Sequence, residues 1–285
     1  MKTEDFELLS GILKQRSGLV LTPEKAYLLE SRLLPVARKY SLKGLDELAA
    51  QIRSRRDEAM LRDMTEAMTT NESSFFRDQK PFDQFKNIIM PHVAEARAAK
   101  KQVRVWSAAC SSGQEAYSLT MLWHELAAKY PGWKLEIMGT DLSAEMVERS
   151  RSGIYTQFEV QRGLPIQLLM KYFTQQGDKW QINTQCRALC QFKEMNLLQD
   201  FGPVGVFDII YCRNVLIYFD PPTKTRVLEA MSKVLAPDGA LYLGGAETVL
   251  GLTDKFRPVD ANRGLYVLSS APAALYSGAA AVKAA

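Results

Sequence analysis

Apolar positions recur at helical spacing through the first seventy residues. Phe6, Leu9, Ile12 and Leu13 form one stripe, and Gly18 ends it. Thr22 and Pro23 read as an N-cap and first-turn pair that opens a second helix running to Tyr40. Leu28, Leu29, Leu33, Leu34 and Val36 supply its apolar side, and Pro35 is placed to strain or kink it. Two shorter helices are predicted over residues 45–54 and 57–68. No β-rich run interrupts them, so residues 1–70 are expected to form a small all-helical domain.

From Lys101 onward the pattern alternates. Strand-like runs over 103–107, 135–140, 207–212 and 240–244 are separated by helical runs over 115–129, 144–150 and 221–235. Strands separated by helices predict an α/β fold with a mostly parallel sheet covered on both faces. Asp238-Gly239 reads as a turn before the last parallel strand, and the runs 255–259 and 264–268 as a hairpin closing the sheet at its edge. Between about 155 and 192 the alternation pauses. Gln176-Gly177-Asp178 there separates Tyr172-Phe173 from Trp180-Gln181-Ile182, which reads as a β-hairpin within an inserted β-subdomain. The expected organisation is a helical domain over 1–70, a linker over 71–80, an α/β domain over 81–270 and a disordered tail over 271–285, rich in alanine.

The stretch VRVWSAACSSGQEAY, from Val103 to Tyr117, joins a strand to a small-residue turn and a helix with Glu115 in its first turn. Nucleotide-type cofactors are held at such turns. A full G-x-G-x-x-G is missing, because Ala108, Ala109, Ser111 and Ser112 stand where glycines would let a pyrophosphate approach the backbone. That pattern points to a nucleoside without a diphosphate, of which S-adenosylmethionine is the commonest. Packing alone also accounts for small residues in such turns. Asp141, at the end of the next strand run, is suited to accept from ribose hydroxyls, although Asp141 or Ser143 could equally cap the following helix.

Composition narrows the classes little. The 285 residues are 47% hydrophobic and 24% charged, ordinary values for a water-soluble domain. The acidic N-terminus and the lack of a long apolar run predict a cytoplasmic chain without membrane insertion. Four cysteines and two histidines show no metal-ligand spacing, so no metal site is expected. A net charge of +4 permits an acidic partner without identifying one. Arg32, Arg38 and Lys39 belong to the helical region, where such charges are most often a solvated surface.

Asp220-Pro221-Pro222-Thr223 invites comparison with the D-P-P-Y motif of base amino-methyltransferases, but the stacking aromatic is missing. A helix cap explains these residues without chemistry. Arg213 and Asn214 follow a buried strand run and are placed to line a cofactor crevice. In the linker, Phe75 and Phe76 are expected to dock on the α/β domain and leave Asn71, Ser73 and Arg77 facing a cleft, with pure packing as the alternative.

Taken together, Asn71–Arg77, Trp106–Tyr117, Gly139–Ser143, R-S-G-I-Y ending at Tyr155 and C-R-N-V-L-I-Y-F-D ending at Asp220 resemble the chemotaxis receptor methyltransferase family, CheR. The resemblance runs to about Leu268 and implies a Rossmann-like methyltransferase domain with a small β-subdomain behind an all-α domain. It further implies S-adenosylmethionine as cofactor, S-adenosylhomocysteine as product, and methylation of glutamate side chains on chemoreceptor methylation helices to γ-glutamyl methyl esters. Carried over by position, Asn71, Ser73, Arg77, Glu115, Asp141, Asn196, Leu197, Asn214 and Val215 would hold the cofactor, with Ser73 where the family has threonine. Arg77 and Tyr218 would lie nearest the transferring methyl. Arg32, Arg38 and Lys39 would meet the acidic receptor helices. Some members bind a pentapeptide at the receptor C-terminus through the β-subdomain; the short hairpin here implies a member that needs no such tether. The missing D-P-P-Y chemistry and the lack of a strong basic stripe weigh against a nucleic-acid partner, and a monomer is expected. The alternative readings are a methyltransferase of another protein, nucleic acid or small molecule, and a binding module with a vestigial pocket.

Overall fold

A computed structural model describes residues 1–260 and 262–276. The chain opens with four helices, α1 (Thr3–Ser17), α2 (Ala26–Lys39), α3 (Leu45–Ser54) and α4 (Glu58–Ala67). Leu9, Leu13, Leu29, Leu33, Leu48 and Met64 meet in their common core. Pro23 begins a short 3-10 turn, not the α-helix itself, and Thr22 makes no capping bond to it. Pro35 is exposed and α2 continues through it. Asp57 caps α4 as an acceptor for the Ala59 and Met60 N–H groups.

The α/β domain follows with α5 (Lys80–Gln84), α6 (Met90–Ala96), β1 (Gln102–Ala108), α7 (Gln114–Leu126), β2 (Lys134–Asp141) and α8 (Ala144–Ser152). The inserted region comprises β3 (Ile154–Thr156), α9 (Gln157–Gln161), α10 (Ile166–Tyr172), β4 (Phe173–Gln176), β5 (Lys179–Ile182) and α11 (Thr184–Arg187). The chain then returns through β6 (Cys190–Glu194), β7 (Phe207–Cys212), α12 (Pro221–Val234), β8 (Leu235–Leu243), β9 (Phe256–Pro258) and β10 (Leu265–Leu268). The seven-stranded sheet has the order β6-β2-β1-β7-β8-β10-β9, and β3-β5-β4 form a separate antiparallel sheet. β6, β2, β1, β7 and β8 are parallel; β10 and β9 close the edge antiparallel. Apolar clusters cover both faces, one around Val105, Ile137 and Ile209 and the other around Trp106, Ile210 and Leu241.

Three expectations need correction. Asp238-Gly239 does not precede the last parallel strand but bulges within it: Phe207 pairs with Leu235 and Ile209 with Ala240, so four residues of β8 face one of β7. β6 is a parallel strand that the sequence pattern did not reveal. The tail is ordered in its first part, where Ala271, Leu275 and Tyr276 are buried and the Tyr276 hydroxyl donates to the Asp238 carbonyl at 2.8 Å. Residues 277–285 of the expected disordered tail lie outside the described residues.

Candidate functional site

Strand order reverses at β1, which is flanked by β2 on one side and β7 on the other. Open α/β sheets bind ligands at such a switch point, beyond the carboxyl ends of the strands. Here four adjacent strand ends open into one cleft: Ala109–Ser111 after β1, Asp141 and Leu142 at β2, Met195–Leu197 after β6 and Arg213–Val215 after β7. The segment from Met68 to Ser74, with Arg77, crosses this cleft, and Ser17, Leu19 and Thr65 close it from the helical domain. About 1050 Å³ of empty space lies within, part of it open to solvent.

The turn after β1 takes the backbone shape that glycines usually provide without having them. Ala109 and Ser111 are left-handed, with φ 58° and 51°. Surrounding bonds hold them there. The Ser111 N–H donates to Asp141 Oδ2 at 2.8 Å and its hydroxyl to the Asn71 carbonyl at 2.8 Å. Its carbonyl accepts from the Ser150 hydroxyl at 2.9 Å, and the buried Tyr155 hydroxyl donates to the Ser112 carbonyl at 2.7 Å. Gly113 begins α7 at φ 91°, and a Cβ on it would lie 3.1 Å from the Ser150 hydroxyl oxygen.

Two of the three carboxylates lining the cleft, Asp141 and Glu115, are firmly held. Asp141 also accepts from the Ser143 N–H at 3.0 Å; burial pushes its carboxyl up, against the lowering effect of these backbone bonds. Ser143, not Asp141, caps α8, through the Met146 N–H. Glu115 accepts from the Ser107 hydroxyl at 2.7 Å and from Arg213 at 2.9 Å. The Arg213 guanidinium is 3% exposed and also donates to Asp78 at 2.7 Å and to the Arg77 carbonyl at 2.8 Å. Burial acts to lower the pKa of Arg213, but the neighbouring Glu115 and Asp78 carboxylates more than offset it and push it up. Cys110 lines the same wall; burial and then Asp141 push its thiol well up, so it stays protonated.

The linker is docked as expected. Phe75 packs edge-on against Tyr155 and Phe173, with centroids 5.0 and 5.6 Å away, and Phe76 against Phe82 at 5.3 Å. Arg77 Nη1 donates to the Glu72 carbonyl at 3.1 Å, and Glu72 pairs with Arg162 of the inserted region. Asn71, Ser73, Arg77, Glu115, Asp141, Asn196, Leu197, Asn214, Val215 and Tyr218 all line the one cleft. Asn196 has a second connection: its side-chain amide donates to the Arg16 carbonyl of α1 and its Oδ1 accepts from the Leu198 N–H. Asp220 caps α12, accepting from the Thr223 N–H at 3.1 Å, and pairs with Lys14 of α1 at 2.7 Å. The helix-cap reading of Asp-Pro-Pro therefore holds.

The three basic residues differ in their surroundings. Arg32 Nη1 donates to the Met68 and Thr69 carbonyls at 2.9 and 3.0 Å and to the Thr70 hydroxyl at 3.2 Å. Its guanidinium thus braces the segment crossing the cleft. Lys39 pairs with Asp63 at 2.7 Å, and Arg38 is exposed. Residues that the sequence alone did not single out complete the arrangement: Asp78, Glu66, and Glu247, whose carboxylate binds the turn after β7. The acidic residue of G-G-A-E after a strand end was the one available signal for Glu247.

This fold and cleft define a Rossmann-like methyltransferase that uses S-adenosylmethionine. The residues present fit that cofactor: Leu142, Met195 and Leu197 give an apolar wall, Asp141 an acceptor at a strand end, and Asn71, Ser73, Arg77 and Glu115 a polar end. Residues 71–265 match the CheR methyltransferase, SAM binding domain, and residues 4–69 the CheR methyltransferase, all-alpha domain. The chain is 38% identical over 265 residues to the chemotaxis protein methyltransferase of Vibrio parahaemolyticus, covering 92% of this chain and 95% of that one. It is 40% identical to chemotaxis protein methyltransferase 1 of Vibrio cholerae, with the same coverage, and 37% identical to chemotaxis protein methyltransferase 1 of Pseudomonas aeruginosa, covering 92% and 96%. The chain belongs to the CheR methyltransferase family. Among the described residues no helix is long and apolar enough to cross a membrane.

Proposed function

We propose that the protein methylates glutamate side chains on the cytoplasmic methylation helices of chemoreceptors, forming γ-glutamyl methyl esters. The observation that carries this reading is a cleft lined together by Arg77, Tyr218, Glu115 and Asp141, the last two carboxylates already being engaged in hydrogen bonds. A glutamate, with an ordinary pKa of about 4.3, reaches such a site as an anion and needs no general base. Bound S-adenosylmethionine supplies an electrophilic methyl group on sulfur. Arg77 orients the incoming carboxylate, and Tyr218 shapes the space beside it, so that the work of the site is alignment. Asn71, Ser73, Glu115, Asp141, Asn196, Leu197, Asn214 and Val215 hold the cofactor. The names of the relatives support the chemotaxis setting.

The exposed Arg38, with Lys39 on the same helix, is the docking point for an acidic receptor helix; Arg32 contributes by holding its neighbours in place. We further infer that no receptor pentapeptide is required, since β4 and β5 are joined by a tight turn at Gly177-Asp178, and that the protein works as a monomer in the cytoplasm, where the receptors' methylation helices lie. Incubation with labelled methyl donor and receptor cytoplasmic fragments should give base-labile label in the receptor. Label that resists base, or none on the receptor, would refute the assignment. Charge reversal at Arg38 should raise KM for the receptor fragment and leave S-adenosylhomocysteine affinity unchanged. Titration with the pentapeptide should give no heat.

A further inference from the structure

The Glu247 carboxylate accepts from four backbone N–H groups in two separate segments. Oε2 takes those of Gly244 and Asn214 at 2.6 and 2.8 Å, and Oε1 those of Val215 and Ile217 at 3.0 and 3.3 Å. Three of these donors lie in the turn between β7 and α12, outside both elements' internal ladders, in a half-buried setting where the carboxylate serves as their partner. Asn214 occupies that turn at φ 61°, a left-handed shape uncommon for side-chain-bearing residues, among which asparagine adopts it most readily. The approach is also close. A Cβ on Gly244 would lie 2.7 Å from Glu247 Oε2 and 2.9 Å from Asn214 Nδ2. The clamped turn carries Asn214, Val215 and Tyr218 into the cleft wall, whereas Glu247 stands behind that wall.

We propose that Glu247 is the positioning residue of the cofactor cleft, its carboxylate fixing the 214–218 turn in the shape that the bound cofactor requires. This rests on the reading that Asn214 and Val215 contact S-adenosylmethionine. A carboxylate presents two acceptor oxygens to these donors; an amide presents one, and its NH₂ group opposes the others. The turn then relaxes away from its left-handed shape, and the wall moves with it.

The test is calorimetric titration of the full-length chain with S-adenosylhomocysteine, well below its melting temperature, using wild type, Glu247→Gln, Gly244→Ala and Asn214→Ala. Gly244→Ala keeps the carboxylate but crowds it. Both clamp variants should keep the wild-type circular dichroism spectrum and lose affinity by about tenfold or more, the scale of one charge-assisted hydrogen bond. With a receptor substrate, KM for S-adenosylmethionine should rise more than kcat falls. Folded clamp variants that bind within twofold of wild type would overturn the proposal, and so would failure of both to fold, since the clamp would then serve the fold and not the cleft. Absence of binding by wild type, or an unchanged affinity in Asn214→Ala, would instead overturn the cofactor reading beneath it.

Discussion

Glu66, on the last helix of the N-terminal domain, accepts from the Ser143 hydroxyl of the α/β domain at 2.9 Å. The same carboxylate oxygen accepts from the Glu145 N–H at 3.0 Å, so a side chain of one domain satisfies an orphan donor at the start of α8 in the other. A negative charge there also opposes the positive end of that helix. Glu66→Ala should cost about 1 kcal/mol. The melting temperature should fall by about 2–4 °C. Differential scanning calorimetry measures both; an unchanged midpoint would remove the contact from the account.

Arg213 makes a sharper case. Its buried guanidinium pairs with the largely buried Glu115 and with the exposed Asp78, and removing Arg213 leaves the Glu115 charge uncompensated. Arg213→Met should therefore lower the unfolding free energy by about 3 kcal/mol or more, measured by urea titration. A loss below about 1 kcal/mol would mean that the pair behaves as a surface one.

At Arg77 the effect should fall on turnover. Arg77→Ala should retain the fold and the wild-type melting temperature within a few degrees, yet reduce kcat by about a hundredfold if alignment of the carboxylate is lost. Full activity in that variant, assayed with labelled methyl donor, would contradict the orienting role.

The bridge between Lys14 and Asp220 predicts a dependence on pH. The Lys14 ammonium, aided by Thr223, lowers the Asp220 carboxyl to about 2. A carboxyl depressed in the folded state stabilises it above the ordinary value and loses that contribution as pH falls through the depressed one. Lys14→Met should be less stable than wild type above about pH 4, and the gap should close towards pH 2. Urea midpoints across that range would measure it; a constant gap would assign the cost of the variant to lost side-chain packing.

What the sequence conveys here depends on the range of each interaction. Amphipathic stripes placed α3 and α4 to within a residue, whereas α2 opens three residues after Pro23, and alternating apolar runs placed β1, β2 and β7. Short β6 carries a mixed pattern, Cys190 to Glu194 with one fully buried side chain, and its identity comes from pairing with β2. Every predicted member of the cleft lines it, because these residues follow strand ends or occupy the linker. Their supports were hidden. Glu66, Asp78 and Glu247 bind partners defined by the folded chain, and apart from the glycines before Glu247 nothing adjacent to them distinguishes them from surface acids. Arg32 shows the same limit: as a basic residue on an amphipathic helix it suggests an acidic ligand, whereas its donors meet the carbonyls of Met68 and Thr69.

The cleft draws its boundary from both halves of the chain, Ser17, Leu19 and Thr65 on one side and the strand ends on the other. A molecule seated there acts as a splint across the two lobes, and saturation should stiffen their mutual breathing as well as raise the melting temperature. The contacts that fasten the lobes, Lys14 to Asp220 and Asn196 to the Arg16 carbonyl among them, therefore share with the ligand the task of keeping this boundary closed.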